Sequence, residues 1–217
     1  MSNRGNELNH TMKKTSLIGI SRLRLTTDGH GVTTLVAFHG CPLHCKYCLN
    51  PQCLREDANT LKLSAEQIFQ VLKKEELYFI ATGGDATFGG GEPLLQADFI
   101  KEVLELGAKK WHTTIETSLN VPLENLKVVF PYIDEYFVDI KDMDTTIYKR
   151  YTGKDNDLVK TNLKWLIAMG KADHILCRIP LIPGFNNKEH QQRSVSILKQ
   201  WGINRFDKIT YVTEIKK

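Results

Sequence analysis

A chain of 217 residues, 41% hydrophobic and 25% charged, has the size and composition of one ordinary globular domain. Its formal charge of +4 comes from Lys and Arg scattered along the chain rather than gathered in one stripe. That argues against a nucleic-acid partner and leaves room for a basic face toward an acidic protein. No apolar run nears the roughly 18 residues of a membrane span. The amino-terminal MSNRGNELNHTMKK lacks the apolar stretch of a secretion signal, so a cytoplasmic protein that does not enter the membrane is expected.

Residues 1–14 read as a flexible tail and residues 15–217 as a single domain. Val32–His39, rich in β-branched and aromatic residues, predicts a first strand. A cysteine-bearing loop follows. Ser64 with Gln67 three residues on has the form of a capping box, ahead of an apolar face of Ile68, Val71 and Leu72. Leu77–Ala81 (LYFIA) predicts a second strand, with the glycine-rich TGGDATFGGGEP as the loop after it. Helical spacing runs from Leu94 through Ile100, Val103 and Leu104 to a stop at Gly107. His112–Glu116 predicts a third strand, Pro122 the first turn of a helix, and Glu135–Lys141 a fourth strand. Asp157 is placed to cap a helix ending near Gly170, and His174–Leu181 predicts strand five. Asn187 is placed to cap a further helix that stops at Gly202, and Ile209–Thr213 predicts strand six.

Six strands alternating with helices fall short of the eight that close a β/α barrel, so the expected fold is α/β, a partial open (β/α)6 barrel. In such folds the chemistry collects where loops leave the carboxyl ends of the strands. The unusual residues fall there: the cysteines after strand one, GGGEP after strand two, Glu116 and Thr117 at strand three, Asp139 and Lys141 at strand four, Arg178 at strand five.

There are five cysteines, at 41, 45, 48, 53 and 177, and four lie within thirteen residues. An odd number in a reducing compartment argues against a disulfide framework and for a metal or redox site. Cys41, Cys45 and Cys48 have C-x3-C-x2-C spacing. Three thiolates can hold three irons of a four-iron cluster and leave the fourth open to a ligand. A structural zinc site is the competing reading; it needs four ligands, with Cys53 or His44 as the fourth, and the spacing is not the paired C-x2-C of common zinc modules. Cys177 reads as a core residue and Cys53 as structural. Asp139 and Lys141, two apart on one strand face, could also be a plain ion pair.

With Tyr47 as the aromatic residue before the third cysteine, GCPLHCKYC resembles the signature of the radical S-adenosylmethionine superfamily. The context DGHGVTTLVAFHGCPLHCKYCLNPQ is similar to the activating enzymes of glycyl radical enzymes. TGGDATFGGGEPLLQ, IETS, VDIK, YTGKDNDLVKTNLKWL and RIPLIPGFN continue that resemblance in order. It implies a [4Fe-4S] cluster on Cys41, Cys45 and Cys48, with S-adenosylmethionine chelated at the open iron and Tyr47 near its adenine. Gly90, Gly91 and Glu92 would meet the methionine ammonium, a carboxylate against a cation approached through residues without side chains. Glu116, Ser118 and Asp139 would line the cofactor site, Lys141 would pair with the methionine carboxylate, and Arg178 would face the reaction. Glu116, Thr117 and Asp139 are candidates for a monovalent cation. The implied activity is reductive cleavage of S-adenosylmethionine and removal of a hydrogen atom from a glycine of a glycyl radical enzyme, with a flavodoxin or ferredoxin as electron donor.

The chain departs from that pattern in three places. It runs almost directly from Cys53 to the Ser64 helix, without an insert that would carry further clusters. It reads Glu116-Thr117-Ser118-Leu119-Asn120 where a small residue and a glycine are usual after the threonine. It reads YVTEIKK where a histidine-bearing segment near the adenine is usual, so adenine binding is expected to be arranged differently or completed by a partner chain. Two other readings stay open: a radical enzyme acting on a peptide, a nucleotide or another small molecule, and a non-catalytic metal-binding module.

Overall fold

The computed structural model describes residues 13–25, 29–107 and 110–211. Eight strands form one open sheet in the order β3-β1-β2-β4-β5-β6-β7-β8. Six of them run parallel: β2 (Val32–Phe38), β4 (Asp85–Gly90), β5 (His112–Thr117), β6 (Glu135–Asp139), β7 (Ile175–Arg178) and β8 (Arg205–Asp207). Their number is that expected for a partial barrel, and four of the six fall where the sequence placed them. At the β2 side the sheet gains two antiparallel strands, β1 (Lys14–Leu25) and β3 (Leu61–Ser64), which the sequence reading did not anticipate. The tail expected over residues 1–14 lies outside the described residues up to position 12, and Lys14 already belongs to β1.

The helices are α1 (Ala65–Lys73), α2 (Glu76–Thr82), α3 (Ala97–Glu105), α4 (Leu123–Val129), α5 (Thr145–Thr152), α6 (Asp157–Ala168) and α7 (Lys188–Gln200). Capping follows the local sequence. The Ser64 hydroxyl accepts from the Gln67 N–H while the Gln67 side chain accepts from the Ser64 N–H. Asn187 and His190 make the equivalent reciprocal pair on α7. Asp144 caps α5 by accepting from Thr146 and Ile147 N–H. The cap of α6 is Asn156 rather than Asp157, and its side chain instead holds the Asp142 and Met143 carbonyls.

Two expectations are corrected. LYFIA is not a strand: Glu76–Thr82 is helical and ends on Gly83 at φ 66°, a left-handed cap that favours glycine. Leu77, Tyr78 and Ile80 are exposed and Phe79 alone of this run is buried, which a buried central strand would not permit. The strand is the glycine-bearing stretch after it, Asp85–Gly90, lying between β2 and β5. The sixth parallel strand is Arg205–Asp207; Thr210 only bridges to Leu181, and residues 212–213 lie outside the described residues.

Side chains alternate along each strand. Val36, Phe38, Ala86, Phe88, Ile115, Tyr136, Val138, Ile175 and Cys177 share the main core with Ile68, Ile100, Val103, Leu163, Leu166 and Leu198 from the helices. Each large apolar side chain buried there contributes about 1.5–3 kcal/mol. The opposite face carries Thr87, Glu116, Asp139 and Arg178, so the inside of the curved sheet is polar and its helix-covered outside is apolar. No helix of the described residues is long and apolar enough to cross a membrane.

Candidate active site

One cavity of about 190 Å³ opens at the carboxyl ends of the parallel strands. Its lining joins the cysteine loop (Cys41, Cys45, Tyr47, Cys48, Cys53) to Gly90 and Gly91 at the end of β4, Glu116–Ser118 at β5, Asp139 and Lys141 at β6, and Arg178 at β7. Residues as distant in sequence as Cys41 and Arg178, 137 positions apart, therefore share one space because each stands at the same end of its strand.

The loop is held from several sides. Gly40 N–H donates to the Cys53 carbonyl, and His44 and Lys46 N–H donate to the carbonyls of Thr152 and Tyr151. Asn50 Nδ2 donates to the Gly90 carbonyl at 3.0 Å, tying the loop to the end of β4. Glycines make that approach close: a Cβ on Gly91 would collide with the Gly40 carbonyl oxygen, and one on Gly90 would lie 2.8 Å from Ala37 Cα.

Burial pushes the Cys41 thiol up to about 12 and raises Cys45 as well, against the opposing pull of Lys141. The Cys53 thiol hydrogen-bonds Cys48 and draws it down to about 6. Among the described residues no three Cys, His, Asp or Glu side chains converge on a single-ion position. The three loop thiols all line the one cavity, and thiolates are the soft donors that the irons of a cluster take. The Leu43 and Asn50 backbone N–H groups point at the sulfurs of Cys41 and Cys48, where they favour thiolates. The donor set thus fits the cluster.

Opposite the loop, Lys141 is buried, and its ammonium donates to Asp139 Oδ2 at 3.0 Å and to the Tyr211 hydroxyl at 2.7 Å. Burial works against this charge, but Asp139 and Tyr211 more than compensate and keep it protonated. Arg178 donates to Glu116 Oε1 at 2.7 Å and stacks on Phe137 at 4.8 Å from the ring centre. Burial raises Glu116, with Arg178 opposing. Gly89 makes room for that carboxylate, since a Cβ there would stand 3.1 Å from Glu116 Oε2.

Glu92, expected at the methionine ammonium, is 1% exposed and does not line the cavity. Its carboxylate accepts from Thr117 Oγ1 at 2.7 Å, Ser118 Oγ at 2.6 Å, Ser118 N–H at 2.9 Å and Leu94 N–H at 3.3 Å. Every other expected site residue lines the cavity. Sequence reading missed Tyr151 and Tyr211, which also line it. Tyr151 stood in the quoted YTG motif and Tyr211 in the YVTEIKK run, but nothing local says that their rings meet.

Residues 35–192 match the family described as the Radical SAM superfamily. The chain is 31% identical to the 4-hydroxyphenylacetate decarboxylase activating enzyme of Clostridioides difficile, over 75% of this chain and 71% of that one. It is also 31% identical to the pyruvate formate-lyase-activating enzyme of Clostridium pasteurianum, over 84% and 82%. Among solved structures, Streptococcus suis SuiB bound to S-adenosylmethionine superposes with a TM-score of 0.63 at 21% identity, over 82% of this chain and 39% of that one.

Proposed function

Since the chain belongs to the radical S-adenosylmethionine superfamily, we propose that it is an activating enzyme that removes a hydrogen atom from a glycine of a partner glycyl radical enzyme. What supports the reading is the cavity in which three thiols of one loop face a protonated lysine and an arginine–carboxylate pair.

Cys41, Cys45 and Cys48 would hold the [4Fe-4S] cluster. The chemistry a bound cluster supplies is one electron, which cleaves the sulfonium of S-adenosylmethionine to methionine and a 5′-deoxyadenosyl radical. The chain's own residues bind, orient and exclude water. Lys141, fixed by Asp139 and Tyr211, presents an ammonium to the methionine carboxylate. Gly90 and Gly91 let backbone carbonyls come close to the methionine ammonium. Tyr47 would face the adenine, Ser118 and Asp139 would border the cofactor, and the Arg178–Glu116 pair would face the reaction; all of them line the cavity. A monovalent cation at Glu116, Thr117 and Asp139 belongs to the same proposal, as do a flavodoxin or ferredoxin donor and a cytoplasmic location.

The test is anaerobic. The cluster is reconstituted and reduced, S-adenosylmethionine is added, and 5′-deoxyadenosine is measured. Formation of the nucleoside, abolished together with bound iron in Cys45→Ala, is the expected result. A glycyl radical signal on an added candidate partner enzyme would separate activation from chemistry on a small molecule. An intact, reducible cluster that yields no nucleoside would sink the assignment.

A further inference from the structure

Two cavity-lining tyrosines, Tyr151 and Tyr211, lie 60 residues apart in sequence and pack against each other. Tyr151, at the end of α5, is fully buried, and its hydroxyl has no hydrogen-bond partner beyond a weak approach of the Tyr47 backbone N–H. Native structures seldom leave a buried hydroxyl so, unless something else supplies the bond. Tyr211, beyond β8, is held by its own N–H to the Leu181 carbonyl at 3.0 Å, and its ring lies 5.4 Å from the Lys141 ammonium. The rings form a continuous wall. Tyr211 lies 6.3 Å from Tyr151, Tyr151 lies 5.1 Å from Phe185 and 6.2 Å from Tyr47, and Tyr47 lies 5.8 Å from Phe185.

We propose that this wall is the nucleoside side of the cofactor site, with Tyr151 a binding residue and Tyr211 a positioning residue. The Tyr151 hydroxyl takes its missing hydrogen bond from the adenosyl half, while Tyr211, with Asp139, aims Lys141 at the methionine half. This deepens the proposed function and rests on it. A purine is a flat aromatic body, and tilted or edge-on rings 5–7 Å apart are the packing such bodies prefer. A purine with its ribose carries both donors and acceptors, and a phenol can serve either. Of the three ammonium N–H groups of Lys141, two go to Asp139 and Tyr211, which directs the third.

The experiment uses cluster-loaded protein kept oxidised, so that nothing is cleaved. S-adenosylmethionine binding is titrated calorimetrically, and 5′-deoxyadenosine and L-methionine are titrated in competition with it. Tyr151→Phe is expected to weaken S-adenosylmethionine and 5′-deoxyadenosine about two- to tenfold, the worth of one hydrogen bond, and to leave L-methionine unchanged. Tyr211→Phe should weaken S-adenosylmethionine and L-methionine by a similar factor and leave the nucleoside unchanged; Tyr211→Leu should weaken both halves. Thermal unfolding gives a second readout. Without ligand, Tyr151→Phe should be at least as stable as wild type, because the unpartnered hydroxyl is gone. With S-adenosylmethionine, it should gain less stability than wild type does. Wild-type nucleoside affinity in Tyr151→Phe, or halves that fail to compete with the whole ligand, would overturn the wall assignment alone. A wild-type protein that holds its cluster but binds no S-adenosylmethionine would overturn the functional assignment as well.

Discussion

Glu92 illustrates how little a residue's identity says about where its charge is used. A glutamate in a glycine-rich loop beside a cofactor site invites the reading of a direct ligand. Here its two oxygens gather four donors of the chain itself and fasten the Thr117–Ser118 turn to the end of β4. Burial raises its proton affinity, and the Ser118 and Thr117 donors oppose that. Removing the carboxylate strands buried hydroxyl and amide donors, at about 1–3 kcal/mol for each left unsatisfied. Glu92→Ala is therefore expected to lose about 2–4 kcal/mol of stability in chemical denaturation, and Glu92→Gln about half as much, since the amide oxygen still accepts. A direct ligand would behave otherwise: Glu92→Gln would unfold like wild type and fail only in binding.

At the level of elements, the exchange between α2 and β4 has a definite cause. LYFIA is apolar enough for a strand, but the left-handed Gly83 that follows suits a helix end, and the run leaves three large side chains in solvent. Asp85–Gly90 looks like a loop by composition, yet its glycines let β4 fit against its neighbours and let the cysteine loop close over its end. Glycine there is a packing requirement and not a mark of flexibility. Gly91→Ala forces apart the Gly91 and Gly40 backbones, which cannot yield as a side-chain tip could. The expected outcome is a destabilisation of about 1–3 kcal/mol and a lower iron content after reconstitution, read by denaturation and iron assay.

The two ends of the barrel do different work. Opposite the cavity, at the amino ends of β4 and β5, Asp85 is buried and accepts from Thr87 Oγ1 at 2.7 Å and Thr114 Oγ1 at 2.6 Å, with His112 Nδ1 at 3.5 Å. Hydrogen bonding to Asp85 raises His112 above its ordinary 6.5, with partial burial opposing. A raised pKa of this kind adds stability that is fully present below the unfolded value and is lost as pH rises through the folded one. Unfolding free energy should therefore fall as pH rises through and above 6.5, and His112→Gln should flatten that dependence in urea titrations at a series of pH values. Because the histidine side chain is 38% exposed, solvent screens the pair and the effect is modest. An equal pH dependence in the variant would remove His112 from the account.

The sequence by itself determined what is local. The thiols of Cys41, Cys45 and Cys48 are close because their spacing is short, and Ser64 and Asn187 cap helices because cap and partner lie three residues apart. The alternation of strands and helices also pointed to six parallel strands and to the polar strand ends where the cavity opens, but it misplaced the second and the sixth. Only the tertiary structure decided what depends on register and on contacts across the sheet. It turned Glu92 inward to Ser118, added the antiparallel β1 and β3 at one side, and set the Tyr211 hydroxyl on Lys141, 70 residues away. The physical reason is that hydrophobic period and cap chemistry act over a few residues. Which side chains meet in the cavity is settled by how far each strand runs before its chain turns away, and that emerges when the sheet assembles.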